Sequence, residues 1–104
     1  MIEILWESDL YDRTFPAIYE IHIGEHIYIG STKRNAKARI TEHIRLLKLN
    51  KHYNRNMQTW FNEIGVASFF VIEYPDLDRV VEREQFWINK KNPDINIIQN
   101  VANY

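Results

Sequence analysis

Gly24-Glu25 separates two runs rich in β-branched and aromatic residues, Ala17-Ile18-Tyr19-Glu20-Ile21-His22-Ile23 before it and His26-Ile27-Tyr28-Ile29 after it. A two-residue loop with glycine first is the mark of a type II′ turn, whose twist suits paired antiparallel strands, so the segment predicts a β-hairpin. The turn also sets the register. If Ile23 faces His26, then Ile21 faces Tyr28 and Tyr19 faces Gly30. Alternation then puts Tyr19, Ile21, Tyr28 and Gly30 on one face. The two tyrosines become diagonal neighbours about 7–8 Å apart, and the missing side chain at Gly30 opens space beside Tyr19. On this pattern alone two readings stand: rings packed in a core with ordinary hydroxyl partners, or the beginning of a reactive site.

Beyond the hairpin, Ala36, Ile40, Ile44 and Leu47 recur at helical spacing from Asn35 to about Leu49, and Asn35 can cap the start. A second helix is expected at about 55–64, with Met57, Trp60, Phe61 and Ile64 on one face and Gly65 as its stop. Residues 68–74 suit a third strand ended by Pro75. A third helix is expected from about Asp78 to Lys90, closed by Pro93. Ile2, Ile4 and Trp6 alternate as an added strand would. The order β-β-α-α-β-α predicts an α/β chain of the α+β kind: a small, mainly antiparallel three-stranded sheet flanked by helices. No repeat or Gly/Ser/Pro linker divides residues 1–104, which we read as one domain.

The net charge of −1 and pI of 6.4 argue against a nucleic-acid binder until the charges are placed along the chain. Residues 33–55 carry eight bases, Lys33, Arg34, Lys37, Arg39, Arg45, Lys48, Lys51 and Arg55, against Glu42 alone, a net of +7. One dense basic segment inside a neutral chain is either a phosphate-facing surface or a solvated helix face. There is no cysteine, so a metal would need carboxylate, imidazole, hydroxyl or water ligands. No apolar run reaches the roughly 20 residues of a membrane helix, and the N-terminus lacks a signal-peptide layout. We therefore expect a soluble, cytoplasmic protein with no membrane partner.

Three residues draw attention for chemistry. Arg39 and His43 lie four apart on the first helix and project together beside its apolar stripe, as an exposed charged pair or as part of a site. On the last helix Val80, Val81, Trp87 and Ile88 define the apolar positions, and the stripe that starts at Val80 passes through Glu84. A carboxylate in that line needs a cation, a metal or several donors, and a salt bridge to Arg39 or a lysine would serve as well as a metal. Glu82 points away and reads as surface.

Taken together, Ala17-Ile18-Tyr19, Tyr28-Ile29-Gly30-Ser31, Arg39, His43, Glu84 and Asn96 resemble the GIY-YIG nuclease superfamily in order and spacing, over residues 17 to about 97. His52-Tyr53-Asn54, Met57-Gln58 and Trp60-Phe61 also look like a stretch of its phage and homing-endonuclease members. Ala17 stands where glycine is usual, which matters little inside a strand. The resemblance implies a metal-dependent endonuclease that cuts DNA to leave 5′-phosphate and 3′-hydroxyl ends, or else a catalytically silent binding module on the same fold. It implies one divalent ion, Mg²⁺ or Mn²⁺, held by Glu84. It assigns Arg39 to charge stabilisation and Tyr19, Tyr28 or His43 to the general base, with Gly30, His52 and Asn96 in support. Lys33, Arg34, Lys37, Arg45, Lys48, Lys51 and Arg55 would contact DNA. Many relatives carry a further DNA-binding domain. Here target choice would fall to the basic segment, to a homo-oligomer or to a separate protein.

Overall fold

The computed structural model describes residues 3–6 and 15–96. Its elements are β1 (Glu3–Trp6), β2 (Ala17–Ile23), β3 (His26–Thr32), α1 (Ala36–Lys48), α2 (Arg55–Ile64), β4 (Val66–Glu73) and α3 (Val80–Lys91), with a 3-10 turn at Leu77–Arg79 leading into α3. Among the described residues no helix is long and apolar enough to cross a membrane.

The hairpin has the register set by its turn. Ile23 pairs with His26, Ile21 with Tyr28 and Tyr19 with Gly30. Gly24 adopts φ +61°, which the first position of that turn demands and a side chain would resist. β4 lies antiparallel along the other side of β2, and its register shifts between Ile18 and Tyr19. Such irregularities re-aim side chains locally. The three antiparallel strands are joined by β1, parallel to β4, giving the order β1-β4-β2-β3. Ile4 and Trp6 fall within β1, whereas Ile2 lies outside the described residues.

Each face of the sheet is covered. Tyr19, Ile21 and Ile23 pack with Ile40 and Leu47 of α1 and Met57 and Phe61 of α2. On the other face Ile18 and Ile29 pack with Val80, Trp87 and Ile88 of α3. Asn35 caps α1 through the Ala38 N–H, and Asn54 caps α2 through the Met57 N–H. Gly65 ends α2 with φ +81°.

Several boundaries and faces differ from expectation. β4 begins at Val66, two residues early, because it pairs with β1 from its first residue. α3 is ended by Asn92 in the left-handed region before Pro93 is reached. Val81 is 69 % exposed and Ile64 42 % exposed, so neither belongs to the buried stripe assigned to it. Gln58 instead takes a buried place on α2, bonded to the Leu47 carbonyl.

Candidate active site

The shared face of the hairpin brings Tyr19 and Tyr28 together with ring centroids 6.5 Å apart. Gly30 makes this arrangement fit. A Cβ there would lie 2.6 Å from Cζ and the hydroxyl of Tyr19 and 2.9 Å from Cε2 of Tyr28, well inside contact distance. The space that the sequence leaves at Gly30 is filled by the two phenols.

His43 does not stand exposed beside Arg39. It is wholly buried, because α1 turns it toward the sheet, where it finds polar partners on both nitrogens. Its Nε2 lies 2.8 Å from the Tyr19 hydroxyl and its Nδ1 2.7 Å from Nε2 of His52. His52, also buried, accepts the Asn54 backbone N–H on Nδ1 at 3.0 Å. The loop is pinned further by Gln58, whose side-chain oxygen accepts the His52 N–H and whose amide donates to the Leu47 carbonyl. Burial, reinforced by His52 and Arg39, holds His43 down to about 3. Burial likewise holds His52 down to about 4, against a contact with the Asn54 backbone. Both rings are therefore neutral at pH 7.

Arg39, on the same helix and one turn before His43, is half-buried. Its Nη2 donates to the Tyr53 hydroxyl at 2.8 Å, and the Tyr53 ring stacks on His52 at 4.4 Å. Burial, then the neighbouring Tyr28, pushes the Tyr19 phenol well above its usual value, while the Arg39 guanidinium pulls it back. Tyr28 is raised by burial, by Tyr53 and by the Glu84 carboxylate, with Arg39 again opposing. Tyr28 is thus influenced by Arg39 and Glu84 alike, and Tyr19 by Arg39.

Glu84 comes from the α3 side of β3 and is half-buried. Its Oε1 accepts the Ser31 hydroxyl at 2.9 Å, one residue beyond Gly30. Among the described residues, the bond seen on Glu84 is this one from a serine hydroxyl and not a salt bridge to Arg39. Among the described residues no three His, Asp or Glu side chains gather as a ready metal cage, so the chain offers a lone carboxylate backed by a hydroxyl.

The remaining residues take different places. Asn96 uses both ends of its amide on the outer edge of β3, accepting the Ile29 N–H and donating to the Ile29 carbonyl, each at 2.8 Å. Asp94, which the sequence did not single out, accepts the Ile27 N–H on the same edge. Lys33, Arg34, Lys37, Arg45, Lys48, Lys51 and Arg55 are all exposed. Arg45 is paired with Glu42 in a two-pronged bridge. Lys51 and Arg55 line a polar groove of about 470 Å³ that also contains His52 and Tyr53. Tyr53 and Asn54 went unassigned in the sequence, although an Asn just before a helical run is a readable capping signal.

The family model of the GIY-YIG catalytic domain matches residues 17–97. No curated protein matches the chain. The structure is similar to that of the catalytic domain of the homing endonuclease I-TevI, with a TM-score of 0.68 and 29 % identity, covering 74 % of this chain and 88 % of that one. With that family model matching most of its length, the chain belongs to the GIY-YIG family.

Proposed function

We propose that this chain is an endonuclease that hydrolyses DNA phosphodiester bonds with the help of one divalent ion and leaves 5′-phosphate and 3′-hydroxyl ends. The observation that carries this reading is a set of three side chains on neutral partners, the buried Tyr19 phenol beside His43, the Arg39 guanidinium on Tyr53 and the Glu84 carboxylate on Ser31, with Tyr28 influenced by both Arg39 and Glu84. Membership of a nuclease family supports it.

The residues present fit a hard cation. Glu84 has an acidic oxygen that Ser31 does not occupy, and a single carboxylate suits Mg²⁺ or Mn²⁺, which keeps several waters and takes phosphate oxygens as further ligands. Glu84 would hold the ion, which supplies charge stabilisation for the leaving 3′ oxygen. Arg39 would leave the Tyr53 hydroxyl and neutralise the charge that builds on the phosphorus oxygens, where a planar fixed cation is effective. Tyr19, if the Arg39 field offsets the burial that raises its phenol, would as phenolate take a proton from the attacking water. That water's oxygen forms the new P–O bond as the bond to the 3′ oxygen breaks. The exposed bases from Lys33 to Arg55 would carry the DNA backbone, and Asn96 would fix the edge of β3.

Purified protein incubated with supercoiled plasmid and Mg²⁺ or Mn²⁺ should nick or linearise it, and EDTA should stop the reaction. Binding without cleavage under every divalent ion tried would replace this reading with that of a silent DNA-binding module.

A further inference from the structure

A backbone N–H can only donate, and that fact gives the buried hydrogen bonds of the site a direction. Asn54 N–H points at Nδ1 of His52, so that nitrogen is an acceptor and the ring's proton sits on Nε2. Nε2 faces Nδ1 of His43 at 2.7 Å, which must accept in turn. The proton of His43 is then on its own Nε2, 2.8 Å from the Tyr19 oxygen. Reversing any one link would set N–H against N–H inside a buried cluster, leaving polar groups unsatisfied where that is most costly.

We infer that Asn54 N–H, His52 and His43 form a one-way relay that makes the Tyr19 oxygen a permanent acceptor from His43. His43 therefore stabilises the Tyr19 phenolate as a donor and does not remove the phenol's proton. This deepens the nuclease reading above and rests on it for its catalytic part.

His43 has no lone pair left for a proton from Tyr19: Nδ1 is engaged by His52 and Nε2 carries hydrogen. The Tyr19 proton must pass to a water or hydroxide that reaches the buried phenol with the substrate, and the resulting oxyanion keeps a charge-assisted bond from His43 together with the field of Arg39. The depressed basicity of both rings agrees, since neither takes a proton near neutrality. His43 and His52 are positioning residues in this scheme. The stacking of Tyr53 on His52 and the Gln58 bond to the His52 backbone keep the relay's outer ring in place.

Nitrogen-15 NMR of the histidine side chains in the wild-type protein at pH 7 tests the relay without any need for activity. Both His43 and His52, assigned by the loss of their signals in His43→Gln and His52→Gln, should appear as neutral rings protonated on Nε2. A proton on Nδ1 of either ring, or a charged ring, overturns the inference. Kinetics on plasmid give a second readout. His43→Gln keeps a neutral N–H donor and should stay within about tenfold of wild-type kcat, whereas His43→Phe should lose about a hundredfold, the scale of one lost oxyanion donor, with KM unchanged in both. Equal losses in the two folded variants would return His43 to the role of base. If either variant fails to fold, the wild-type spectrum decides. An inactive wild-type protein with both rings protonated on Nε2 would sink the nuclease reading and leave the relay standing.

Discussion

Tyr19 and Glu20 are neighbours on β2 and both are buried, yet the two faces of the strand settle them by opposite means. On the α3 side, Lys91 and His22 both reach the Glu20 carboxylate, at 2.6 Å and 2.7 Å respectively. Burial works to raise this carboxyl, but the bonds from Lys91 and His22 outweigh it and hold Glu20 below the usual carboxylate range. On the α1 side, Tyr19 is met by one neutral imidazole, that of His43. The contrast extends outward. Arg45, Arg79 and Arg83 each grip a carboxylate, Glu42, Glu82 and Glu73 respectively, whereas Arg39 is hydrogen-bonded to the Tyr53 phenol. Glu73 takes Arg83 and the Trp87 N–H, and Glu84 takes a serine hydroxyl. Where the protein needs stability, charge answers charge. In the proposed site, a cation and a carboxylate are instead kept on neutral partners, the Tyr53 and Ser31 hydroxyls.

That contrast can be attacked residue by residue. The largest effect is expected for Glu84→Ala. Divalent-dependent plasmid cleavage should fall below detection, while DNA affinity in a gel-shift assay and the melting temperature stay near wild type. Normal cutting by this variant would remove Glu84 from the chemistry. Arg39→Ala should lower single-turnover rates by a factor of about 10² or more, the loss typical of one charge-stabilising donor. Unchanged turnover would make Arg39 another surface cation.

Gly30→Ala should strike fold and site together, since the new methyl would meet both phenols. A stability loss of about 1–3 kcal/mol, measured by thermal melting, is the usual cost of such overpacking. Turnover should fall with it. Lys91→Met addresses the other face. With its pair partly exposed, it should cost about 1–2 kcal/mol of stability and leave kcat unchanged. Because the folded pKa of Glu20 lies below the unfolded one, its contribution is present above the ordinary carboxylate range and disappears as pH falls through the depressed value. The variant's acid-unfolding curve should therefore be flatter in that interval. The smallest effect is expected for Tyr53→Phe, which removes one exposed hydrogen bond worth about 0.5–1 kcal/mol, a two- to fivefold change in rate. If freeing Arg39 is part of binding, that change is a gain.

The sequence was most informative where local geometry leaves little freedom. A two-residue turn ties each residue of the hairpin to one partner, so the pairing of Tyr19 with Gly30 was legible in full. Glu84 was conspicuous because it broke an apolar stripe. For His43 helical spacing left two readings open, an exposed pair or part of a site, because it gives a side chain's direction but not how wide an arc of the helix is covered. That width depends on Tyr19, 24 residues earlier, and on His52, nine residues later, which supply partners that let an imidazole be buried. Val81 failed in the opposite sense, an apolar side chain with nothing packed over it. The Asn54 N–H could not have been found at all, since a main-chain donor leaves no letter in the sequence.

Asp94 and Asn96 occupy main-chain groups of β3 at Ile27 and Ile29, which would otherwise be open to a strand from elsewhere. An exposed edge invites another chain to extend the sheet. Here a newcomer would first have to evict two side chains of the same molecule. Any self-association along this border is thereby discouraged.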